Sequence, residues 1–525
     1  MTSPWSWMPG APFEGTQVSD ASRIWNRKLW GGEMIFAQSS LFTPGRADII
    51  MSCTIDVPSN LHLTHQHIRS ATRALRFSHP TIASKVVWPP GPPNVAEAKF
   101  AYESPASEGQ VTSWLDSVVF AHRESATEGE GTKDVEALLS TLRVDLGLAD
   151  AVRTDDQLKL FHVLPCAQKP QVHGILMLLR HAVFDGVAAW EVMDCWLREL
   201  SKVTGISPNP ATLPFAWGTE VSRLARPVAD RTSRPWSPSD LHTDWPILKH
   251  VNKILDHPST SFGLPLPHST APFTGTDYIT VTFPESVAQG LVRNARKNGC
   301  KMFSVELASI LMTCIRVNPP DAGEHRVILP FNPVNLRSRL STTDPVEIVS
   351  ATGFNVLEAA DLHRFVTCTG DEATLEAVWT IAKEIQAQMT EQDEWQDDAA
   401  RTAPVVIKTL ADSIFERPPP SYPMRVFGIT NFGVVDSILK PEYPVPGTSS
   451  SLKIINARFC NVIFHLPESL LPILLHAYTL QGLLYYSFSY SPAHMGKDAD
   501  AAEEGPATFT KFLKELEIVT KLLAV

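Results

Sequence analysis

An α/β fold, with mixed sheets flanked by helices, is predicted from three observations. Strand-like runs alternate with amphipathic helical stretches, and the apolar runs 157–164 and 172–179 have the spacing of an antiparallel hairpin. The length of 525 residues also exceeds what one core keeps compact, so two domains are expected.

The first half opens on a strand, Asp48–Asp56, and a helix, His65–Phe77, whose Ile68, Ala71, Ala74 and Leu75 share one face. His79-Pro80 ends that helix, because proline cannot continue it, and sends the chain into an extended piece from Thr81 to Trp88. A further helix is expected at Val135–Leu142. In the hairpin, Val172–Leu179 is almost continuously apolar, which marks it as a central strand. Gly186 then opens a helix in which Val187, Trp190, Met193, Leu197 and Leu200 recur at helical spacing.

Periodicity fades after about residue 205 while Pro and Ser accumulate, so 206–275 reads as a crossover between an N-terminal domain (1–205) and a C-terminal one (276–525). The second half repeats the opening theme. Tyr278–Phe283 reads as a strand, Ser286–Lys297 as a helix closed by Asn298-Gly299, and Ser304–Val317 as a helix with Ser304 at its N-cap. Strands are expected at Arg326–Leu329, Met424–Asn431, Lys453–Phe464 and Leu483–Ser489, with a helix over Ala373–Met389. The most apolar stretch, Leu470–Phe488, contains Pro472, His476 and Gln481 and reads as a buried helix running into a strand, not as a membrane span.

Composition narrows the function classes. An apolar fraction of 44% with 19% charged residues fits a folded chain, and 42 prolines against 27 glycines point to long ordered loops. The net charge of −11, without any Lys/Arg run interleaved with aromatics, argues against nucleic acid as a partner. Seven scattered cysteines in apolar surroundings, no Asn-x-Ser/Thr sequon and no leader-like N-terminus fit a soluble protein of a reducing, cytoplasmic compartment.

One constellation carries chemistry. In Arg180-His181-Ala182-Val183-Phe184-Asp185-Gly186 a histidine and an Asp-Gly pair sit where a buried strand meets a helix. The imidazole can face a cavity as a neutral base near pH 7, while the carboxylate turns inward and the glycine allows a sharp turn. A buried carboxylate there needs a cationic or multiply donating partner. The plainer reading, a structural histidine at a strand end, competes on spacing alone. Arg180 is expected on the opposite face, without a chemical role. His62, His65 and His67 lack acidic or thiol companions and do not share a helical face, so no metal site is expected, and His173 reads as core. No P-loop, Gly-x-Gly-x-x-Gly, Gly-x-Ser-x-Gly or His-Glu-x-x-His is present.

The segment His181-x-x-x-Asp185-Gly186 resembles the signature of the thioester-dependent acyltransferase superfamily, which includes the plant-type (BAHD) alcohol acyltransferases, chloramphenicol acetyltransferase and peptide-synthetase condensation domains. Ile68 to Pro80 is similar to that superfamily's early helix and His-Pro step. Val334-Asn335-Leu336-Arg337-Ser338-Arg339-Leu340, followed by Gly353-Phe354-Asn355, is similar to its Val-Asp-x-Arg-x-Arg-Leu stretch, and Thr430-Asn431-Phe432-Gly433 to its Ser-Asn-x-Gly strand. The order is the expected one and spans most of the chain. Arg180 replaces the first histidine of many relatives and the plant Asp-Phe-Gly-Trp-Gly motif is missing, so the nearest resemblance is to fungal O-acetyltransferases of secondary metabolism such as the trichothecene enzymes.

The resemblance implies two chloramphenicol-acetyltransferase-like domains with a tunnel at their interface. His181 would be the general base and Asp185 structural, beside Gly186 and held by an arginine, Arg337 as the first candidate and Arg339 as the second. Thr430 or Asn431 would donate to the oxyanion, with Asn431 and Gly433 at the substrate or CoA. It further implies direct acyl transfer from acetyl-CoA or another acyl-CoA to a hydroxyl of a small hydrophobic metabolite, with no bound cofactor or metal, by a chain compatible with a monomer. Condensation on carrier-protein thioesters and a non-acylating, metabolite-binding or cyclising member of the fold are the alternatives.

Overall fold

The computed structural model describes residues 5–10, 23–42, 47–91, 93–122, 134–148, 151, 155–205, 207–209, 214–232, 237, 262–264, 274–322, 327–340, 348–396, 400, 427–463, 473–492 and 504–525. The fold is α/β with mixed sheets flanked by helices. The first half supplies β1 (Met8–Pro9), β2 (Ile24–Lys28), α1 (Gly32–Phe42), β3 (Ile49–Asp56), α2 (His65–Ser78), β4 (Lys85–Val87), β5 (Lys99–Glu103) and α3 (Glu108–Val118). It continues with β6 (Val119–His122), α4 (Val135–Gly147), β7 (Leu158–Val163), β8 (Val172–Leu179) and α5 (Gly186–Val203). The second half supplies β9 (Asp277–Phe283), α6 (Glu285–Lys297), α7 (Met302–Val317), β10 (Val327–Asn335), β11 (Thr352–Ala359) and α8 (Asp371–Asp393). It ends with β12 (Phe427–Val434), β13 (Glu442–Pro444), β14 (Ser451–Asn461), β15 (Ile473–Leu480), β16 (Leu483–Tyr490) and α9 (Glu504–Ala524).

Two larger sheets organise the chain. One has the order β13-β14-β3-β8-β7-β6, with β8 interior and paired antiparallel to both β3 and β7. The other has the order β12-β15-β16-β9, in which β12 and β15 run parallel. Strands β13 and β14 come from the C-terminal half but complete the first sheet through the β14–β3 pairing, so the late chain crosses from one sheet to the other between β12 and β15. Each sheet has its own core: Trp190, Trp196, Ile175 and Met177 belong to the first, and Val305, Ile381, Phe488 and Phe512 to the second. Helix α5 is fixed on α2 by burial of Trp196, whose indole Nε1 donates to Thr72 Oγ1 at 3.1 Å.

Several expected elements differ in detail. Residues 470–472 lie outside the described residues, but 473–490 form the hairpin β15–β16 and no helix. Gln481 and Gly482 both have positive φ (50° and 80°), the backbone of a two-residue turn whose twist matches the flanking strands. Ser304 is not an N-cap: α7 starts at Met302, and the Ser304 hydroxyl donates back to the Lys301 carbonyl at 2.7 Å. Pro80–Ala83 is a 3-10 turn ahead of the short β4, where an extended run from Thr81 is expected. Most of 206–275, the end of the expected strand at Phe464 and the start of the one at Met424 lie outside the described residues.

Three histidines are stacked beneath the first sheet. His162 Nε2 lies 3.0 Å from His173 Nδ1, and His65 stacks on His162 with ring centroids 6.0 Å apart. Burial, and then the neighbouring imidazoles, hold the His162 pKa down at about 3, and burial holds that of His173 at about 4. In the unfolded chain such rings protonate near pH 6.5, so between that pH and about 4 the unfolded state binds more protons. Stability is therefore expected to be complete above pH 6.5 and to fall as pH drops towards 4. Urea unfolding at pH 7.5 and 5 should show this loss, and His162→Leu should reduce it; an equal loss in both proteins would rule the trio out as its source.

Candidate active site

The site grows out of the turn between β8 and α5. Asp185 is the N-cap of α5, in extended backbone, and its Oδ1 accepts from the Ala188 amide at 2.7 Å. Its other oxygen collects three donors from the second half of the chain: Arg337 Nη1 at 2.9 Å, the Ala351 amide at 2.6 Å and Thr352 Oγ1 at 3.0 Å. Burial alone would raise this carboxyl's pKa; the Arg337 guanidinium and the amides of Ala188 and Ala351 overcome that and hold it below the ordinary value. Arg337 also reaches Glu191 at 3.3 Å and the Val349 carbonyl at 2.8 Å, while the Ser350 amide donates to the Val183 carbonyl at 2.8 Å. Residues 349–352 thus zip along the turn. Arg339, the other arginine considered, pairs instead with the exposed Asp393 at 2.6 Å.

His181 lies at the mouth of this turn and is only partly shielded from solvent. Its ring stacks on Phe36 of α1 with centroids 3.4 Å apart and planes 12° from parallel. Helix α1 is anchored by a buried bidentate pair, Arg27 to Glu33 at 2.7 and 2.8 Å, with the Trp30 amide also on Glu33 at 2.8 Å. His181 Nδ1 makes no hydrogen bond of good geometry among the described residues. Desolvation pushes the imidazole pKa down to about 4, against weaker upward pulls from the backbone of His181 and Phe184 and from Asp185. Near neutral pH the ring is therefore uncharged and able to accept a proton. Arg180 faces the other way, paired with Asp48 at 3.1 Å.

Gly186 has a packing role that spacing alone does not reveal. A Cβ built there would lie 2.2 Å from Cε1 of Phe432, so the missing side chain leaves room for that ring from β12 to sit at the start of α5. Phe432 packs with Phe459 of β14 (4.6 Å) and Trp190 of α5 (6.3 Å), joining three elements at the junction of the two large sheets.

Register separates the residues of β12. Thr430 pairs with His476 of β15, and side chains alternate between faces, so the two share one face, on which His476 lies parallel to Phe432 at 6.1 Å. Asn431 is turned the opposite way, onto α7, where its Nδ2 donates to Glu306. Its Oδ1 accepts from the Gly433 amide at 2.6 Å, and Gly433 has a φ of 68°. Of the two oxyanion candidates, Thr430 is therefore the one on the His476 face, while Asn431 ties the strand to its helix. His476 itself is a neighbour that the sequence reading left inside an apolar stretch. It is buried, its Nδ1 has no partner among the described residues, and burial followed by the neighbouring His181 imidazole holds its pKa at about 3. No local motif marks it, because only the β12–β15 pairing brings it here. Among the described residues no group of three His, Cys, Asp or Glu side chains could hold a metal ion.

Four substitutions probe this construction. Arg337→Gln leaves a buried carboxylate unpaired and is expected to cost about 3–5 kcal/mol in urea unfolding, whereas Arg339→Gln, at a partly exposed pair, should cost under about 1 kcal/mol. Similar costs for both would contradict the assignment. Gly186→Ala should destabilise by about 1–3 kcal/mol through overpacking, and Phe432→Leu in the same chain should recover part of that loss.

No family model matches the chain. A trichothecene O-acetyltransferase TRI3 of Trichoderma arundinaceum is 24% identical over 226 residues, an alignment covering 40% of this chain and 41% of that relative. The chain thus matches less than half the length of this curated relative. Among solved structures, the TRI3 trichothecene 15-O-acetyltransferase of Fusarium sporotrichioides superposes with a TM-score of 0.78 at 15% identity, covering 99% of this chain and 98% of the other. The first condensation domain of the calcium-dependent antibiotic synthetase gives a TM-score of 0.57 at 13% identity over 95% of this chain and 96% of that domain. The chain thus shares its fold with these proteins, and part of its sequence is similar to that of a trichothecene O-acetyltransferase.

Proposed function

We propose that this chain is an acyl-CoA-dependent O-acyltransferase, most simply an O-acetyltransferase, acting on a hydroxyl of a small hydrophobic secondary metabolite. The observation that carries this reading is the His181 turn: an uncharged, partly accessible imidazole whose neighbouring carboxylate is fully engaged elsewhere. Asp185 caps a helix and binds Arg337, so it holds the turn and does not share a proton with His181. A neutral histidine without a carboxylate partner suits a base that must take a proton and then return it.

In the proposed step His181 accepts the acceptor hydroxyl's proton as its oxygen attacks the thioester carbonyl. The tetrahedral oxyanion takes a hydrogen bond from Thr430 Oγ1, on the face shared with His476. Collapse breaks the C–S bond, and the His181 proton passes to the departing thiolate, so the products are an ester and free CoA and no covalent acyl-enzyme forms. The donor is read as acetyl-CoA or another short acyl-CoA. The similarity to trichothecene O-acetyltransferases supports a hydroxylated fungal metabolite as acceptor.

The test is thiol release from acetyl-CoA with a panel of hydroxylated fungal metabolites. Acceptor-dependent release is expected from the wild-type chain and is expected to disappear in His181→Ala, while Thr430→Ala should lower kcat by about 10²–10³-fold. Because burial keeps His181 neutral down to about pH 4, kcat/KM should stay flat through pH 6.5. An acid limb at 6.5, or full turnover in His181→Ala, would remove His181 as the base.

A further inference from the structure

Glu306 is a carboxyl group in an unusual place. It lies on the sheet-facing side of α7 with 2% of its surface exposed, inside the core formed by α7, α8, α9 and the β12-β15-β16-β9 sheet. One oxygen accepts from Asn431 Nδ2 and the other has no hydrogen-bond partner among the described residues. The orientation of Asn431 is fixed independently, because the Gly433 amide needs Oδ1 as acceptor and so turns Nδ2 towards Glu306. No described cation pairs with Glu306: Arg316 binds Glu515 and Thr374, and Arg364 binds Glu384. The titratable side chain facing it is Tyr486 of β16, itself buried and shifted upward by burial and by Glu306. A carboxylate in such surroundings would be an uncompensated buried charge, so the group is held as the neutral acid.

The same atoms lead to the His181 site. Asn431 and Gly433 flank Phe432, and the β12–β15 register shifts between Asn431 and Val434, which identifies a bulge in β12. Gly433 takes positive φ there, and Phe432 fills the space over Gly186, at the turn that carries His181. We propose that Glu306 is a positioning residue for the His181 site: as a neutral acid it holds Asn431, Asn431 fixes the Gly433 bulge, and the bulge seats Phe432 on Gly186. Ionisation of Glu306 places a charge in the core whose hydrogen-bond partner among the described residues is Asn431, and the contact chain to Gly186 loosens. Burial pushes this carboxyl up to about 8, so the loosening falls in the mildly alkaline range. The inference deepens the acyltransferase reading, but its structural half can be measured without turnover.

The experiment is hydrogen–deuterium exchange of segments 180–188 and 430–434 from pH 6.5 to 9.5, corrected for intrinsic exchange, in the wild-type chain, Glu306→Gln and Asn431→Ala. Protection is expected to drop above about pH 8 in the wild type and to persist in Glu306→Gln, which keeps a neutral side chain of the same shape. It should be low throughout in Asn431→Ala. Acetyl-CoA-dependent acyl transfer should follow the same pattern, with kcat falling about tenfold per pH unit above 8 in the wild type and an absent alkaline limb in Glu306→Gln. Equal pH dependence of protection in wild type and Glu306→Gln would overturn the inference, as would an unchanged bulge in Asn431→Ala. Absent acyl transfer combined with the expected exchange pattern would instead refute the function and leave the coupling of Glu306 to the turn standing.

Discussion

The Asp185 carboxylate is the contact on which the rest of the site depends. It closes the first turn of α5 from within and binds Arg337, Ala351 and Thr352 from the other half of the chain. A helix cap stabilises locally by roughly 1 kcal/mol, but a buried carboxylate carries a desolvation cost of several kcal/mol that only multiple donors offset. The turn carrying His181 is therefore held in place by Arg337 and residues 349–352 docked on it. Local geometry at the histidine and the association of the two halves are one event.

The second constraint is aromatic. Phe432 occupies the space left by Gly186, and Phe459 and Trp190 surround it, so β12, β14 and α5 meet at one ring. The late chain's crossing from β12 to β13 and β14 and back to β15 makes this possible, because β13 and β14 lie in the first sheet while β12 and β15, which precede and follow them, lie in the second. Around that junction the polar groups divide by face. Asp185 pairs with Arg337 and Asn431 with Glu306, while Thr430 and His476 share the opposite face of β12 and β15 from Asn431. The same low-dielectric surroundings that lower the basicity of His181 and His476 keep Glu306 protonated: burial disfavours whichever form is charged.

Much of the framework was legible in the sequence because it rests on local rules. The apolar run Val172–Leu179 reads as an interior strand, and β8 is one; Asp185-Gly186 ahead of Val187, Trp190 and Met193 reads as a helix start, and α5 begins there. The 473–490 segment misled for a physical reason. In a strand buried on both faces, alternation is lost and a continuous apolar run fits a core helix equally well, so the deciding signal was the two-residue Gln481-Gly482 turn.

By itself the sequence determined the α/β class, the strand-to-helix turn that presents His181, and the need of Asp185 for a cationic or multiply donating partner, because each follows from spacing, hydrophobic pattern or the cost of burying charge. Tertiary structure alone chose Arg337 over Arg339, turned Asn431 away from His181 towards Glu306, and brought His476 beside it. These choices depend on strand register and on which of two neighbouring side chains meets a partner more than a hundred residues away. A one-residue change in the register of β12 reverses the placements of Asn431 and His476 without altering the local pattern.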